Sequence, residues 1–212
     1  MKIIAINGSP RKGKNTAIML QTALDAAAEL GAVTELVELS DYHLKFCTGC
    51  NSCLRNTTCS ITDDDNGLLH KKLLEADGVI LGSPCYFGNV SGIMKNFMDR
   101  TRCFHMVRPV LKGKVGGVLT HGGLRHGGQE YTLEILERFM VGQGFIMADG
   151  FEPLSGENRV LTTMGVIGTM YRGMEEGKIK YYRSVTEDTL AINACRILGQ
   201  NMANLIKKTR NV

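Results

Sequence analysis

Five short apolar runs that alternate with stretches of helical spacing constrain the fold of this 212-residue chain more than any other feature. The first run, KIIAIN at residues 2–7, leads through a loop into AIMLQTALDAAAEL, where Ala and Leu recur at helical intervals. The third run, GVILGSP at residues 78–84, is continuously apolar, which is typical of a central strand in a parallel sheet. Because parallel neighbours are joined by right-handed helical crossovers, the order predicts an α/β fold with a doubly wound, five-stranded parallel sheet.

Two segments interrupt the alternation. Residues 42–66 form a cysteine-rich insertion after the second strand, AVTELVEL, and before a short helix. Residues 150–183 follow the expected fifth strand, FIMADG, and have no clear period. We interpret residues 150–183 as an excursion over the surface that could contact a partner subunit. The whole chain, 1–212, is expected to form a single domain, because it is long enough to bury one core and 43% of its residues are hydrophobic.

Charge and hydropathy narrow the classes of function. The net charge of +4 is modest, and no segment combines clustered basic residues with aromatic ones, so we expect no nucleic-acid partner. No run of about 18 apolar residues is present, and the opening MKIIAING is too short for a signal peptide, so we expect no membrane association and a cytoplasmic location. In a reducing cytosol, closely spaced cysteines bind metal or carry out redox chemistry more often than they form disulfides.

The loop after the first strand, GSPRKGKNT, predicts an anion site without a metal. Its spacing approaches a nucleotide-triphosphate loop, but Asn15 stands where a Ser or Thr hydroxyl would bind magnesium after Lys14. Ser9, Arg11 and Thr16 add donors and charge beside a helix N-terminus, which suits a phosphate monoester. The alternative is an ordinary polar loop that caps a helix.

The loop after the third strand, SPCYFGNVSG, points to a flat heterocyclic ligand. Pro84 and Gly88 shape a tight turn, Tyr86 and Phe87 offer aromatic surfaces, and Asn89 can bond a ring edge. An aromatic cofactor with a phosphate tail would use both this loop and the first one, because both lie at the carboxyl ends of parallel strands. The alternative is a loop whose aromatic side chains are buried against the core.

Four cysteines occur within thirteen residues, CTGCNSCLRNTTC, at the spacing C-x2-C-x2-C-x5-C. Such a set can complete a [4Fe-4S] cluster, and it differs from the bacterial ferredoxin run in its longer last gap and in the absence of a following proline. Zinc is an alternative, although its structural sites favour two separated C-x2-C pairs, and unligated thiols are another. The predicted ligands are Cys47, Cys50, Cys53 and Cys59.

The other cysteines and the acidic run carry weaker predictions. Cys103 and Cys195 fall in helices and are expected to be small buried hydrophobes. Cys85 lies in the third-strand loop, where it could act in redox chemistry or simply fit a turn. Residues 63–65, DDD, are expected to be a solvated turn before the helix that starts near Gly67.

Three motifs together resemble one family. GSPRKGKNT, SPCYFGNVSGIMKNFMDR and GGLRHGGQE are similar to the flavodoxin-like NADPH-dependent FMN reductase superfamily, and the cysteine run narrows the resemblance to the iron-sulfur flavoproteins of anaerobic archaea and bacteria. The resemblance implies FMN as a cofactor and a homodimer or homotetramer. It implies that the phosphate lies at Ser9, Arg11, Lys14, Asn15 and Thr16, and the ring near Pro84, Tyr86, Phe87, Gly88, Asn89, Val90, Thr120, His121, Gly122 and Gly123.

The resemblance and the cysteines together predict an FMN and [4Fe-4S] electron-transfer flavoprotein, a flavin-dependent oxidoreductase. Ferredoxin is the expected electron donor, and a small oxidant such as O2 or H2O2 the expected acceptor. One alternative is an NAD(P)H-dependent FMN or quinone reductase without a cluster, and another is a non-catalytic flavodoxin-like electron carrier or redox sensor. His121, Arg125 or His126 near the ring would stabilise negative charge on a reduced flavin, unless these are exposed turn residues.

Overall fold

The computed structural model describes residues 1–152 and 165–210, and its central feature is a parallel sheet in the order β2-β1-β3-β4-β5. The predicted α/β fold is therefore confirmed. A sixth strand, β6, pairs with β4, and β7 and β8 form a separate antiparallel hairpin. The strands are β1 (Lys2–Asn7), β2 (Val33–Glu38), β3 (Gly78–Pro84), β4 (Val115–Gly122), β5 (Ile146–Met147), β6 (Val166–Thr169), β7 (Tyr171–Glu175) and β8 (Lys178–Tyr181).

Helices cover both faces of the sheet because each presents an apolar stripe to it. One apolar cluster joins α1 and α6 to one face, and a second joins α2, α3, α4 and α5 to the other. The strands β3 and β4 are buried along their whole lengths, as a position between two helical layers requires. The helices are α1 (Asn15–Glu29), α2 (Asn66–Glu75), α3 (Gly92–Arg100), α4 (Cys103–Met106), α5 (Gln129–Gly142) and α6 (Thr189–Arg210).

The fifth position of the sheet is shared by two short strands. β5 pairs with the start of β4 at Val115 and Gly116, and β6 pairs with its end, from Leu119 to Gly122. The predicted fifth strand in FIMADG is thus present but contains only two residues. The interpretation of residues 150–183 as a surface excursion is wrong for β6, which is part of the main sheet, whereas residues 153–164 lie outside the described residues.

The contact between α1 and α6 is unusually close at Gly199. A Cβ atom at this position would lie 1.9 Å from the carbonyl oxygen of Ala23, far inside van der Waals contact. The two helices approach backbone to backbone there, and this layer includes the buried Cys195, as predicted. Among the described residues, we find no helix with the length and apolar character needed to cross a membrane.

Candidate functional site

The loop after β1 is held in place by Glu38, the last residue of β2. The N–H of Gly13 donates to Glu38 Oε1 over 3.0 Å, and the side-chain amide of Asn7 donates to Oε2. Within the loop, Ser9 N–H donates to Asn7 Oδ1 at 2.9 Å, and the Ser9 hydroxyl accepts from Arg11 N–H at 3.1 Å. Sequence reasoning missed Glu38. The available signal was an acidic residue at the carboxyl end of a strand beside the predicted anion loop.

The start of α1 fits the predicted phosphate site only in part. Thr16 is buried, and its Oγ1 has no hydrogen-bond partner in the described part of the chain. The helix has no side-chain cap at Lys14, so an anion could use its N-terminus. Asn15, in contrast, donates to the sulfur of Met170 and accepts from the N–H of Val185. In this structure, the Asn15 side chain joins α1 to the C-terminal part of the chain.

The loop after β3 projects a tight turn from the sheet edge. Tyr86 and Asn89 exchange backbone hydrogen bonds of 2.9 and 3.1 Å, and the two residues between them have positive φ, 53° at Phe87 and 69° at Gly88. Positive φ is uncommon for a bulky residue, and Phe87 is fully exposed at the tip. Strained, exposed residues of this kind occur at ligand sites. The aromatic residues of this turn, Tyr86 and Phe87, are therefore not buried against the core.

The end of β4 lies beside both other loops. Cys85 N–H donates to the carbonyl of His121 at 2.9 Å, and Thr120 Oγ1 donates to the carbonyl of Ser83 at 2.8 Å. Burial and the nearby charge of Arg11 lower the pKa of His121 to about 4, so the imidazole is neutral at pH 7. His121 Nδ1 is buried with no partner among the described residues. His121 can therefore act here as a neutral hydrogen-bonding group, and its expected role beside a reduced flavin stays a prediction.

The two glycines after His121 have different roles. A Cβ atom at Gly122 would meet the side chain of Gln129 at 2.6 Å, so the protein itself fills the space beside this residue. Gly123 has open space around its Cβ position. Gln129 is buried and organises the loop by accepting from Gly127 N–H at 2.7 Å and donating to the carbonyl of Leu124. Sequence reasoning missed Gln129.

The four predicted ligand cysteines all line one pocket, which the segment between β2 and α2 forms with the end of α3 and the start of α4. Two residues with positive φ, Gly49 at 66° and Asn51 at 60°, turn the backbone on either side of Cys50. A short 3-10 turn, Ser52–Leu54, then carries Cys53. All seven cysteines of the chain are free thiols. The thiols at this pocket are Cys47, Cys50, Cys53, Cys59 and, from α4, Cys103.

The pKa values of Cys103, the fifth thiol, and of Cys50 shift in opposite directions. Burial, followed by the nearby Cys59 and Cys53, raises the pKa of Cys103 to about 11. Cys50 shows the opposite trend, because hydrogen bonds, first from the Ser60 hydroxyl, lower its pKa. Since the thiolate is the metal ligand, the raised pKa of Cys103 disfavours it as a ligand.

The cysteine segment is closed by a buried ion pair. Arg100, the last residue of α3, bonds both carboxylate oxygens of Asp64, and both side chains are fully buried. The prediction that residues 63–65 form a solvated turn is wrong for Asp64, while Asp63 is exposed and pairs with Lys45. Burial raises the pKa of Asp64, but hydrogen bonds from Arg100, Lys45 and Asn66 outweigh it and lower the pKa overall.

The four thiols have the chemistry that an iron-sulfur group requires of its ligands. Within residues 1–152 and 165–210, no three His, Cys, Asp or Glu side chains converge closely enough to hold one metal ion. The thiols instead surround a shared space, bordered by the apolar Ile61 and by Arg100. Four free thiols around one pocket are the ligands that a four-iron cluster uses.

Comparison with known proteins places these features in a family. The sequence model of the NADPH-dependent FMN reductase family matches residues 1–156. An iron-sulfur flavoprotein of Archaeoglobus fulgidus is 37% identical over 212 residues, covering 100% of this chain and 98% of the relative. The iron-sulfur flavoprotein MJ1083 of Methanocaldococcus jannaschii is 38% identical over 207 residues, with 98% of each chain covered. The chain belongs to the iron-sulfur flavoprotein family.

A solved structure supports the fold independently. A flavodoxin from the domain Archaea aligns with a TM-score of 0.55 and 17% identity, covering 98% of this chain and 99% of the flavodoxin. The chain therefore has a flavodoxin-like fold. Its family shows that it is a flavin-dependent oxidoreductase. The family supports FMN as its cofactor.

The two buried histidines make stability depend on pH. Burial lowers the pKa of His70 to about 4, as it does for His121, from an ordinary value of 6.5. The unfolded chain takes up these protons near pH 6.5 and the folded chain only near pH 4, so acidification across this window favours unfolding. We expect the free energy of unfolding to fall by about 1.4 kcal/mol per pH unit for each histidine.

Urea unfolding of the wild-type protein and of His70→Gln at pH 7, 6 and 5 tests this expectation. The glutamine keeps an amide that can donate to the Arg100 carbonyl, which His70 Nε2 contacts at 3.0 Å. The variant should lose about half of the histidine-dependent slope. An identical slope in the two proteins would show that His70 does not keep a depressed pKa.

Proposed function

We propose that this flavoprotein holds FMN at the loops after β1, β3 and β4 and a [4Fe-4S] cluster on Cys47, Cys50, Cys53 and Cys59. It would accept electrons from ferredoxin or a similar carrier and deliver them to a small oxidant such as O2 or H2O2, as a homodimer or homotetramer in the cytoplasm. The observation that carries this proposal is the placement of the four thiols around one pocket, closed by Arg100 and Asp64.

The flavin part rests on the carboxyl edge of the sheet. The register places Asn7 of β1 beside Gly82 of β3, and Pro84 of β3 beside His121 of β4, so three loops emerge together. At this edge, Thr16 Oγ1 and His121 Nδ1 are buried polar atoms without partners in the described residues. Both can bond a phosphate-bearing heterocycle, which is the ligand class that such edges receive.

The two cofactor regions are neighbours within one chain. A single apolar pocket is lined by Pro10 of the first loop, Tyr86 of the third-strand loop and Phe46, which directly precedes Cys47. When bound, FMN exchanges electrons singly or in pairs and an iron-sulfur cluster exchanges them one at a time, so a protein with both can convert between the two. The chain's own contribution would be to fix the positions and surroundings of the two groups.

A reductase that uses NAD(P)H and needs no cluster is the second candidate, because residues 1–156 match the NADPH-dependent FMN reductase family. Steady-state oxidation of NADPH by the protein with FMN separates the two. Equal rates of NADPH oxidation by the wild-type protein and by a variant without the four cysteines would favour the reductase. Turnover that requires both reduced ferredoxin and the intact cysteine set would favour the proposal.

Cofactor analysis of Cys53→Ala tests the proposal directly. We expect protein purified without oxygen to contain about four iron and four sulfide per chain together with FMN. The Cys53→Ala variant should lose most of the iron and keep its FMN, because Cys53 belongs to the cysteine pocket and not to the flavin loops.

The matched control is Cys103→Ala, which removes a thiol from the same pocket. Because burial raises the pKa of Cys103 to about 11, its loss should leave the iron content unchanged. Wild-type protein that contains FMN but no iron or sulfide, even after reconstitution, would rule out the cluster. Equal iron loss in both variants would rule out the ligand assignment.

A further inference from the structure

The hydrogen bonds of Arg100 leave one donor unused. A guanidinium has five N–H groups, two on each Nη and one on Nε. Nη1 donates to the Lys45 carbonyl at 2.6 Å and to Asp64 Oδ2, and Nη2 donates to the Ile61 carbonyl at 3.1 Å and to Asp64 Oδ1 at 3.2 Å. These four bonds use all the Nη hydrogens. The Nε–H is buried and has no hydrogen-bond partner in residues 1–152 and 165–210.

An unused N–H on a fully buried charged side chain calls for a physical reason. Leaving a buried donor unpaired destabilises a folded protein, and the other four N–H groups of the same side chain are all satisfied. Arg100 is only 2% exposed, so bulk solvent does not reach its Nε–H. The unpaired donor is therefore best explained by a hydrogen-bond acceptor that is present when the protein holds its cofactors.

The surroundings of Arg100 indicate which group that partner is. Arg100 lines the cysteine pocket together with Cys53, Cys59 and Cys103. Burial lowers the pKa of Arg100, but Asp64 and Cys59 raise it and prevail, as expected if the Cys59 sulfur faces the guanidinium. The bonds to Lys45 and Ile61, on either side of the cysteine segment, fix the guanidinium in this position.

We propose that Arg100 Nε–H donates a hydrogen bond to the Cys59 sulfur when that sulfur is a thiolate ligand. This inference rests on the proposed cluster and assigns Arg100 two roles: it holds both ends of the cysteine segment, and it tunes the bound group. Hydrogen bonds to ligand sulfurs favour the reduced, more negative state of an iron-sulfur group. Arg100 is thus a positioning residue that also raises the reduction potential.

The first experiment uses the wild-type protein and tests whether an arginine nitrogen lies at the cluster. Protein labelled with ¹⁵N-arginine is purified without oxygen, loaded with iron and sulfide, reduced with dithionite and examined by pulsed electron paramagnetic resonance. We expect a weak ¹⁵N coupling to the reduced cluster that is absent from unlabelled protein. A loaded and reduced cluster without such a coupling would overturn the inference.

Two lysine variants assign the coupling to one residue. Arg100→Lys keeps a positive charge for Asp64 but removes Nε–H, so the ¹⁵N coupling should disappear and the midpoint potential should shift to a more negative value. Arg102→Lys is the matched control, because Arg102 lines the same pocket but donates to Asn51 Oδ1 at 3.0 Å. The control should keep both the coupling and the potential.

The outcomes separate this inference from the proposed function. Wild-type protein that never binds iron would show that the cluster assignment is wrong. Normal iron content with a coupling that survives in Arg100→Lys but disappears in Arg102→Lys would show that Arg102, not Arg100, is the donor. If Arg100→Lys does not fold, the coupling in labelled wild-type protein and its retention in Arg102→Lys still decide the question.

Discussion

Gly199→Ala is expected to destabilise the fold severely. The added Cβ would lie 1.9 Å from the carbonyl oxygen of Ala23 and 2.8 Å from its carbonyl carbon. Both obstacles are backbone atoms of α1, so no side-chain rotation can relieve the clash, and α6 must move away from α1. Overpacking of a tight core costs about 1–3 kcal/mol, and the size of this overlap places the variant at or beyond the upper end.

Gly142→Ala is the matched control for this prediction. Gly142 lies at the end of α5, and a Cβ atom there meets no other atom within 4 Å. Alanine should stabilise that helix by about 0.5–1 kcal/mol through its better helical propensity. Urea unfolding of the two variants measures the contrast. Equal stability of Gly199→Ala and wild type would mean that α1 and α6 are not in close backbone contact.

Asp64→Asn should be the most damaging single change in the cysteine segment. The substitution keeps the shape of the side chain but leaves the Arg100 charge buried without its counterion. Breaking a buried ion pair from one side costs about 3–5 kcal/mol. Arg100 also holds the carbonyls of Lys45 and Ile61, so the loss should release the cysteine segment from α3.

Asp63→Asn is the matched control, because it also removes a carboxylate charge, but from an adjacent, exposed residue that pairs with Lys45. Exposed ion pairs contribute little, so this variant should unfold at nearly the wild-type urea concentration. Amide hydrogen exchange over residues 45–64 should increase in Asp64→Asn and stay unchanged in Asp63→Asn. Similar exchange in the two variants would show that the buried pair does not hold the segment.

The order of strands and helices was predictable because each run carried its own local signal. GVILGSP reads as a central strand from its continuous apolar character, and β3 is buried throughout. β6 was not predictable in the same way. Its four residues, VIGT, are too few to show a period, and they are held by pairing with Leu119 to Gly122 of β4, far away in sequence.

In the candidate site, too, local features were predictable from the sequence, whereas contacts between distant residues were not. The cysteine spacing is local, and the thiols do line one pocket. The residues that support the two regions are Glu38, Asp64, Arg100 and Gln129, and their partners lie on other elements or depend on the detailed path of a loop. In SGIMKNFMDR, the arginine reads as an ordinary basic residue at a helix end. Only the fold shows that it is buried against a carboxylate.

Arg100 bonds residues on both sides of the cysteine segment, and these bonds affect how the proposed metal centre would assemble. A flexible loop would have to lose conformational freedom each time it wrapped around a metal group. Here the polypeptide loses that freedom during folding, because Arg100 bonds two carbonyls and a carboxylate of the segment. If the proposed cluster forms here, insertion of iron and sulfide would follow folding of the chain rather than drive it.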